Sequence, residues 1–313
     1  MDKYMPVKLS PAFKDYLWGG TRLKEEYNKK TDMQPLAESW ELSCHKDGES
    51  RISGGCRDGK TLSEYIEYFG RDILGKNAER FDYFPVLIKL IDAKTDLSVQ
   101  VHPDDEYALE NEGEYGKTEM WYVLEADPGA HLYYGFNRDV TRGEFAEKIK
   151  NNTITEVLNR VNVKKGDVFF IGAGTLHAIC GGIVICEIQQ NSNTTYRVYD
   201  YDRRDKNGKT RPLHIEKALE VTNLNKAPEI KKPSGDVLAE CKYFRVSHMT
   251  VSGRSRLLMG EDSFAGVIVA EGNGKMLYNG QELSLLKGDS YFVPAQNNSI
   301  DIEGSCELII TKI

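Results

Sequence analysis

Four residues with metal-binding atoms lie where strand faces would bring them together. Gln100 and His102 stand two apart in Leu97-Ser-Val-Gln-Val-His-Pro-Asp-Asp105. Side chains alternate faces along a strand, so these two point together while Val99 and Val101 point away. An amide and an imidazole on one face of an apolar run fit either a wet edge strand or two ligands aimed into a pocket. Pro103 ends the run and keeps His102 extended. Glu119 opens Glu119-Met-Trp-Tyr-Val-Leu-Glu-Ala126 on the face of Trp121 and Val123. His177 follows the glycine turn Gly172-Ala-Gly-Thr-Leu176. Two imidazoles, one carboxylate and one amide oxygen make an N/O set suited to Zn²⁺, with water or substrate completing the shell; Mn²⁺, Fe²⁺ or Co²⁺ also fit. Plainer readings stand beside this one. An isolated buried histidine is ordinarily a hydrogen-bonded core residue, the reading kept for His45, His131, His214 and His248, with His131 nearest the cluster. Glu119 also fits an ion pair with Lys117, which shares its face.

The elements that must position these residues are mostly strands. Strand patterns cover 86–93, 97–102, 119–126, 131–136, 168–174, 182–189 and 194–201. Thr61 to Leu74 reads as a helix, with Thr61 as its cap and Glu64 three residues on. Thr141 caps a second helix to Lys150, Thr153-Ile-Thr-Glu-Val-Leu158 reads as the start of another, and His214 to Glu220 is a short helix. Lys206-Asn-Gly208 reads as a turn. One unit recurs: an apolar strand, then a Lys-Gly-Asp turn, then an aromatic strand. Val163-Lys-Lys-Gly-Asp-Val-Phe-Phe-Ile-Gly-Ala173 matches Leu285-Leu-Lys-Gly-Asp-Ser-Tyr-Phe-Val-Pro-Ala295, and Glu119–Ala126 matches Phe264–Glu271. Only the first copy carries the four ligand candidates. Closely spaced antiparallel strands with short connections predict an all-β protein of two related jelly-roll barrels. The expected domains are 1–227, catalytic and metal-binding, with helical insertions near 61–74 and 139–158, and 236–313, a β domain without metal ligands. Pro228 to Gly235 is the expected boundary.

The chain has 313 residues, 40% of them hydrophobic, enough to bury a substantial core. A net charge of −7 argues against a nucleic-acid or anionic-membrane partner. No apolar run is long enough to span a bilayer, and MDKYMPVKLS has no signal-peptide pattern. Six cysteines without CxxC spacing suit a reduced, cytoplasmic protein. No GxGxxG or GxxxxGK[ST] supports a nucleotide site.

These residues resemble the type I mannose-6-phosphate isomerases, or phosphomannose isomerases, of the short bacterial form, which are zinc-dependent members of the cupin superfamily. The stretches that carry the resemblance are Trp18-Gly-Gly, Ala37-Glu-Ser-Trp-Glu41, Ile88-Lys-Leu-Ile-Asp-Ala93, Leu97–Pro103, Lys117-Thr-Glu-Met120, Gly172–Ala178 and Glu187–Asp200. The generic cupin second motif G-x5-P-x-G-x2-H fits Gly166 to His177, with Gly172 in the proline position. Gln100 stands where cupins usually have histidine. Asn193 departs from relatives with Asp after the serine. The 236–313 copy is less diagnostic of the family.

The resemblance implies that Gln100, His102, Glu119 and His177 bind one Zn²⁺ per chain, and that Lys117, Glu187 and Arg197 are active-site residues. It implies reversible conversion of mannose 6-phosphate to fructose 6-phosphate through a cis-enediol(ate). Glu187, in apolar company, is the first choice as base and Lys117 the second. Arg197 is read as holding phosphate or a substrate oxygen, or else as a surface cation paired with Asp200 or Asp202. Lys94, Lys89, Arg203 and Ser98 are candidates for the phosphate end. Trp18 and Trp40 fit either a pocket wall or core. The expected partner is a hexose 6-phosphate, and the expected state is a monomer or weak homo-oligomer. Rival readings are a metal-containing sugar-phosphate-binding regulatory cupin, a C2 epimerase and a cupin oxygenase using Fe²⁺.

Overall fold

The computed structural model describes residues 2–204, 207–230, 232–233, 235–296 and 299–313. The turn expected at Lys206 begins outside them. Strands take 42% of the chain and helices 16%, which sets the all-β class and a cupin-type fold. In chain order the first strands are β1 (Val7–Ser10), β2 (Ala12–Lys14), β3 (Glu38–Leu42), β4 (Arg51–Ser53), β5 (Val86–Ala93), β6 (Val99–Val101) and β7 (Glu119–Ala126). Next come β8 (His131–Phe136), β9 (Leu158–Asn162), β10 (Val168–Ile171), β11 (His177–Ile179), β12 (Ile183–Gln190) and β13 (Tyr196–Tyr199). The last are β14 (Val237–Glu240), β15 (Arg245–Leu258), β16 (Ala265–Tyr278), β17 (Gln281–Leu286), β18 (Ser290–Val293) and β19 (Ser299–Lys312). The α-helices are α1 (Arg22–Glu25), α2 (Leu62–Phe69), α3 (Asp105–Asn111), α4 (Arg142–Lys150) and α5 (Ile215–Val221). None of them is long and apolar enough to cross a membrane.

The chain forms two compact units. One comprises residues 1–14, 21–90 and 233–313, the other 15–20 and 91–232. The division at 232/233 falls within the expected boundary 228–235, while residues 1–14 and 21–90 group with 233–313 instead of with 91–232. The reason is strand pairing: β1 is hydrogen-bonded between β18 and β4, so the N-terminal segment is built into the sheet β14-β15-β19-β16-β18-β1-β4. One apolar cluster in that unit has Val267, Val269, Met276, Leu285, Ile300, Ile302 and Leu308 fully buried.

The unit with the ligand candidates contains the sheet β13-β6-β11-β8-β9 and the ladder β10-β7-β12. As alternation predicts, Val99 and Val101 are buried away from the ligands, in a core with Phe136, Phe145, Ile154, Val157 and Leu176. That core is where the helical insertion packs. Thr141 Oγ1 caps α4 by accepting from Glu144 N at 3.1 Å. The turn after it, Ile154–Val157, is 3-10 and runs straight into β9.

At Thr61 the full capping box forms, but α2 stops at Phe69 because Gly70 adopts φ +89°; Arg71–Leu74 is a separate 3-10 turn. Helix α3 was not anticipated. Its start is marked by Asp104, whose carboxylate accepts from Tyr107 N at 2.9 Å.

The internal repeat is real at the level of hydrogen bonds. Val123 donates to Asp167 O at 2.9 Å and accepts from Gly166 N at 2.8 Å; Val269 donates to Asp289 O and accepts from Gly288 N at the same two distances. Each turn is closed by its own aspartate, Asp167 accepting from Lys164 N and Asp289 from Leu286 N. By that register Glu119, opposite Ile171, is matched by Ala265, opposite Val293, one residue on from the expected pairing of Glu119 with Phe264, because the turn hydrogen bonds and not strand composition fix the alignment. The second copy has a methyl group where the first has a carboxylate.

One irregularity matters below. Ile183 and Val184 of β12 face Ala126 and Glu125 of β7, but Ile185 then faces Val123, leaving Leu124 as an extra residue. Beyond this bulge Glu187 faces Trp121 and Gln189 faces Glu119.

Candidate active site

Directly opposed residues on antiparallel strands point to the same face. On one sheet His177 of β11 lies opposite Gln100 of β6, and Arg197 of β13 lies opposite Gln100 on its other side. On the ladder β10-β7-β12, one row runs Ile171–Glu119–Gln189 and the next Phe169–Trp121–Glu187. His102, just past the end of β6, and Lys117, two residues before β7, complete the site. Each separate segment supplies its residue through the two-residue strand period.

The side chains converge. His177 Nε2 lies 3.4 Å from Glu119 Oε1, and His102 Nε2 lies 3.6 Å from Glu119 Oε2. Suitable ligand atoms of His102, Glu119 and His177 all fall within 4.8 Å of one another, and all three residues are buried. The Gln100 amide nitrogen is 3.5 Å from His177 Nε2, and turning that amide offers its oxygen to the same point. Both imidazoles have their other nitrogen engaged: His102 Nδ1 donates to Thr194 O at 2.9 Å and His177 Nδ1 to Thr175 O at 2.8 Å. That leaves Nε2 lone pairs facing Glu119, the arrangement of metal-bound histidines. Bonds of about 2.0–2.1 Å to a tetrahedral ion separate its ligand atoms by about 3.4 Å, close to the spacings observed. The buried His102, Glu119 and His177 group can therefore hold a metal ion.

Burial pushes the His177 imidazole down to about 4. The unfolded chain takes up this proton below about pH 6.5 and the folded chain refuses it until about 4, so stability is full above that window and falls as pH drops through it. For metal-free protein the loss from this group is on the order of 3 kcal/mol. Urea midpoints at about pH 7 and about pH 4.5 measure it. His177→Gln is expected to flatten the slope; an unaltered slope would clear His177 as its source.

Beside the ligands, Lys117 Nζ lies 2.6 Å from Glu119 Oε2, 3.2 Å from His102 Nε2 and 3.7 Å from Glu187 Oε1. The plain reading of Glu119 as an ion pair with Lys117 and the reading as a ligand are thus met in one geometry. Trp121 Nε1 donates to Glu187 Oε2 at 3.0 Å. Arg197 is not a surface cation. Its Nε donates to Ser98 Oγ at 3.2 Å and its Nη1 to Pro212 O at 3.0 Å. Burial, then the neighbouring Arg211, lowers its pKa. Asp200 is claimed by Arg203 and Arg211, with oxygens 2.6 Å from each guanidinium. Burial pushes the Asp200 carboxyl up, but those arginines outweigh it and hold it below its ordinary value. A cavity of about 240 Å³ is lined by Asp15, Tyr16, Leu17, Asp200, Arg203 and Arg211.

Two family models match the chain: the catalytic domain of phosphomannose isomerase type I over residues 7–128, and the cupin domain of mannose-6-phosphate isomerase over 236–313. Mannose-6-phosphate isomerase ManA of Bacillus subtilis is 39% identical over 317 residues, covering 98% of this chain and 99% of its own. The chain belongs to the type I phosphomannose isomerases. The mannose-6-phosphate isomerase of Streptococcus mutans is 37% identical, with 97% of each chain covered. The crystal structure of the Bacillus subtilis mannose 6-phosphate isomerase superposes with a TM-score of 0.90 at 36% identity, covering 98% of this chain and 99% of that one. The C-terminal segment, undiagnostic by motif, thus carries a phosphomannose isomerase family match of its own.

Gln100, His102, Lys117, Glu119, His177, Glu187 and Arg197 lie in one unit, with Lys117 3.7 Å from Glu187 and Arg197 opposite Gln100 in the sheet. Among the phosphate candidates, Ser98 is buried against Arg197 and Arg203 is bound to Asp200, whereas Lys94 is exposed. Lys89 belongs to the other unit, 3.8 Å from Glu38 Oε2 and over the Trp40 ring. Trp18 and Trp40 are both buried. The remaining histidines stay outside the ligand set: His45 accepts from Asp47 N, His214 accepts from Arg197 N, His131 packs on Tyr133 and His248 pairs with Glu307. The described cysteines are free thiols. Trp121, Gln189 and Arg211 were not singled out from sequence as site residues. Trp121 and Gln189 are two-residue steps from Glu119 and Glu187, so alternation marks them, whereas nothing local marks Arg211.

Proposed function

We propose that this protein is an aldose–ketose isomerase that interconverts mannose 6-phosphate and fructose 6-phosphate in the cytoplasm, with one Zn²⁺ held by Gln100, His102, Glu119 and His177. The observation that carries the reading is the meeting of those four side chains beside Glu187, Lys117 and Arg197. The reaction moves a proton between C2 and C1 of the open-chain sugar through a cis-enediol(ate). A bound metal supplies Lewis acidity that polarises the sugar carbonyl. The ligand set suits this, since Glu119 brings its one formal negative charge and Gln100 is neutral. Glu187 is the proton carrier: Trp121 fixes one carboxylate oxygen, and the other, 3.7 Å from Lys117 Nζ, takes the proton from one carbon and returns it to the next. Arg197, held by Ser98 and Pro212, presents its guanidinium to a substrate oxygen. Arg203 and Arg211 supply the positive field for the phosphate end, with Asp200 setting their spacing.

A coupled assay of the purified protein with mannose 6-phosphate, with and without chelator, tests the reading. Fructose 6-phosphate should form, fall at least about 10²-fold on chelation and return with Zn²⁺. Binding without turnover would make the protein a sugar-phosphate sensor, oxygen uptake an oxygenase, and glucose 6-phosphate as product a C2 epimerase. Any of the three overturns the proposal.

A further inference from the structure

His102 presents its Nε2 lone pair inward, where Lys117 Nζ lies 3.2 Å away, while its Nδ1 donates to the carbonyl of Thr194. Thr194 lies in the stretch 191–195 between β12 and β13, which has no regular structure of its own. A loop carbonyl orients an imidazole only if the loop is fixed. Gln189 Nε2 donates to the carbonyls of Gln190 at 2.8 Å and Ser192 at 2.5 Å. Ser192 Oγ donates to Tyr115 O at 2.7 Å and accepts from Thr194 N at 3.2 Å. Thr194 Oγ1 donates to Glu114 Oε2 at 3.0 Å. The next residue ties the loop to the other wall, with Gln190 Oε1 accepting from Thr118 N and Gln190 Nε2 donating to Asp105 Oδ1, both at 2.8 Å.

Gln189 begins this chain of contacts. It is fully buried and stands directly across from Glu119. Its orientation follows from chemistry, because both groups around Nε2 are carbonyls that accept only, so the amide cannot be turned. Its Oε1 is buried and finds no donor among the described residues. A buried amide that keeps two donor bonds while forgoing its acceptor bond is held there for its donors.

We infer that Gln189 is a positioning residue for the metal site: its two amide hydrogens pin the loop whose Thr194 carbonyl holds His102 as the Nδ1–H tautomer. The consequence for metal rests on the zinc reading above; the tautomer does not. The test compares the full-length wild type with Gln189→Met, which keeps the length and removes both donors, and Gln189→Glu, which keeps the shape and replaces donors with acceptors. Nitrogen and proton resonances of His102 in metal-free protein should show one tautomer in the wild type and a mixture in both variants. Zn²⁺ affinity by chelator competition should fall about 10- to 100-fold, with an altered visible spectrum of bound Co²⁺. A single tautomer and wild-type affinity in both variants would overturn the inference. Should neither variant fold, Ser192→Ala, which removes the contacts to Tyr115 and Thr194, is read in the same way. A wild type that binds no zinc, while its variants still mix tautomers, sinks the zinc reading and supports the positioning role.

Discussion

Alanine at position 102 is expected to remove bound metal and turnover together. His102 Nε2 is one of two imidazole lone pairs facing Glu119, 3.6 Å from its Oε2. Without it the set is reduced to Glu119, His177 and the neutral amide of Gln100, a weak combination for a divalent ion. Loss of the Lewis acid removes several kcal/mol of stabilisation from the reaction, so kcat should fall by about 10³- to 10⁵-fold. Zinc per chain, measured by elemental analysis after gel filtration, should fall well below one. The fold should survive, because Val99 and Val101 anchor this strand on the opposite face, in a core that His102 does not enter. Circular dichroism melting of both metal-free proteins checks that point. Full activity with normal zinc content would sink the ligand assignment.

Glutamine at position 187 should separate chemistry from metal binding. The carboxylate lies one row along the sheet face from Glu119, and Trp121 Nε1 donates to its Oε2. A glutamine keeps a carbonyl oxygen for that indole but can no longer carry a proton. Zinc content should therefore stay at the wild-type level while kcat falls about 10²- to 10⁴-fold, the usual worth of a general base. KM should change far less, since mannose 6-phosphate is bound by the arginines and the metal in this reading. Exchange of the C2 proton with deuterated solvent should fall in step with kcat. Unchanged turnover would move the base role to Lys117, the other group within reach.

What was legible in the sequence was what strand alternation controls. Gln100 and His102 on one face, with Val99 and Val101 on the other, follow from a period of two and nothing else. The Lys-Gly-Asp repeat was legible because turn chemistry is local, and each aspartate closes its own turn. The helix caps at Thr61 and Thr141 were local too. The misses have a different character. The pairing of β1 with β18 joins residues nearly a chain length apart, which no window of sequence reports. For Arg197 the sequence left a surface pairing with Asp200 open beside the cleft reading; Arg211 and Arg203 take that carboxylate and Arg197 turns to Ser98, contacts that no local pattern reports. Helix α3 was hidden in an acidic, turn-like stretch, although Asp104 was a readable cap.

The extra residue at Leu124 makes the active site a matter of parity. Before the bulge β12 runs against β7 in one phase, and after it in another; only the second phase puts Glu187 and Gln189 on the face of Trp121 and Glu119. A change of one residue in chain length there exchanges inside for outside along the rest of the strand, while a change of two restores the original facing. The run 183–186 is apolar on both faces, but Glu187 and Gln189 after it are not, so an odd change would drive a carboxylate and an amide into the apolar side. Length variation along this strand is therefore tolerated in steps of two, by the fold and by the site alike. A descendant with an odd change would turn Glu187 and Gln189 away from Trp121 and Glu119 and set them where Cys186 and Ile188 now pack.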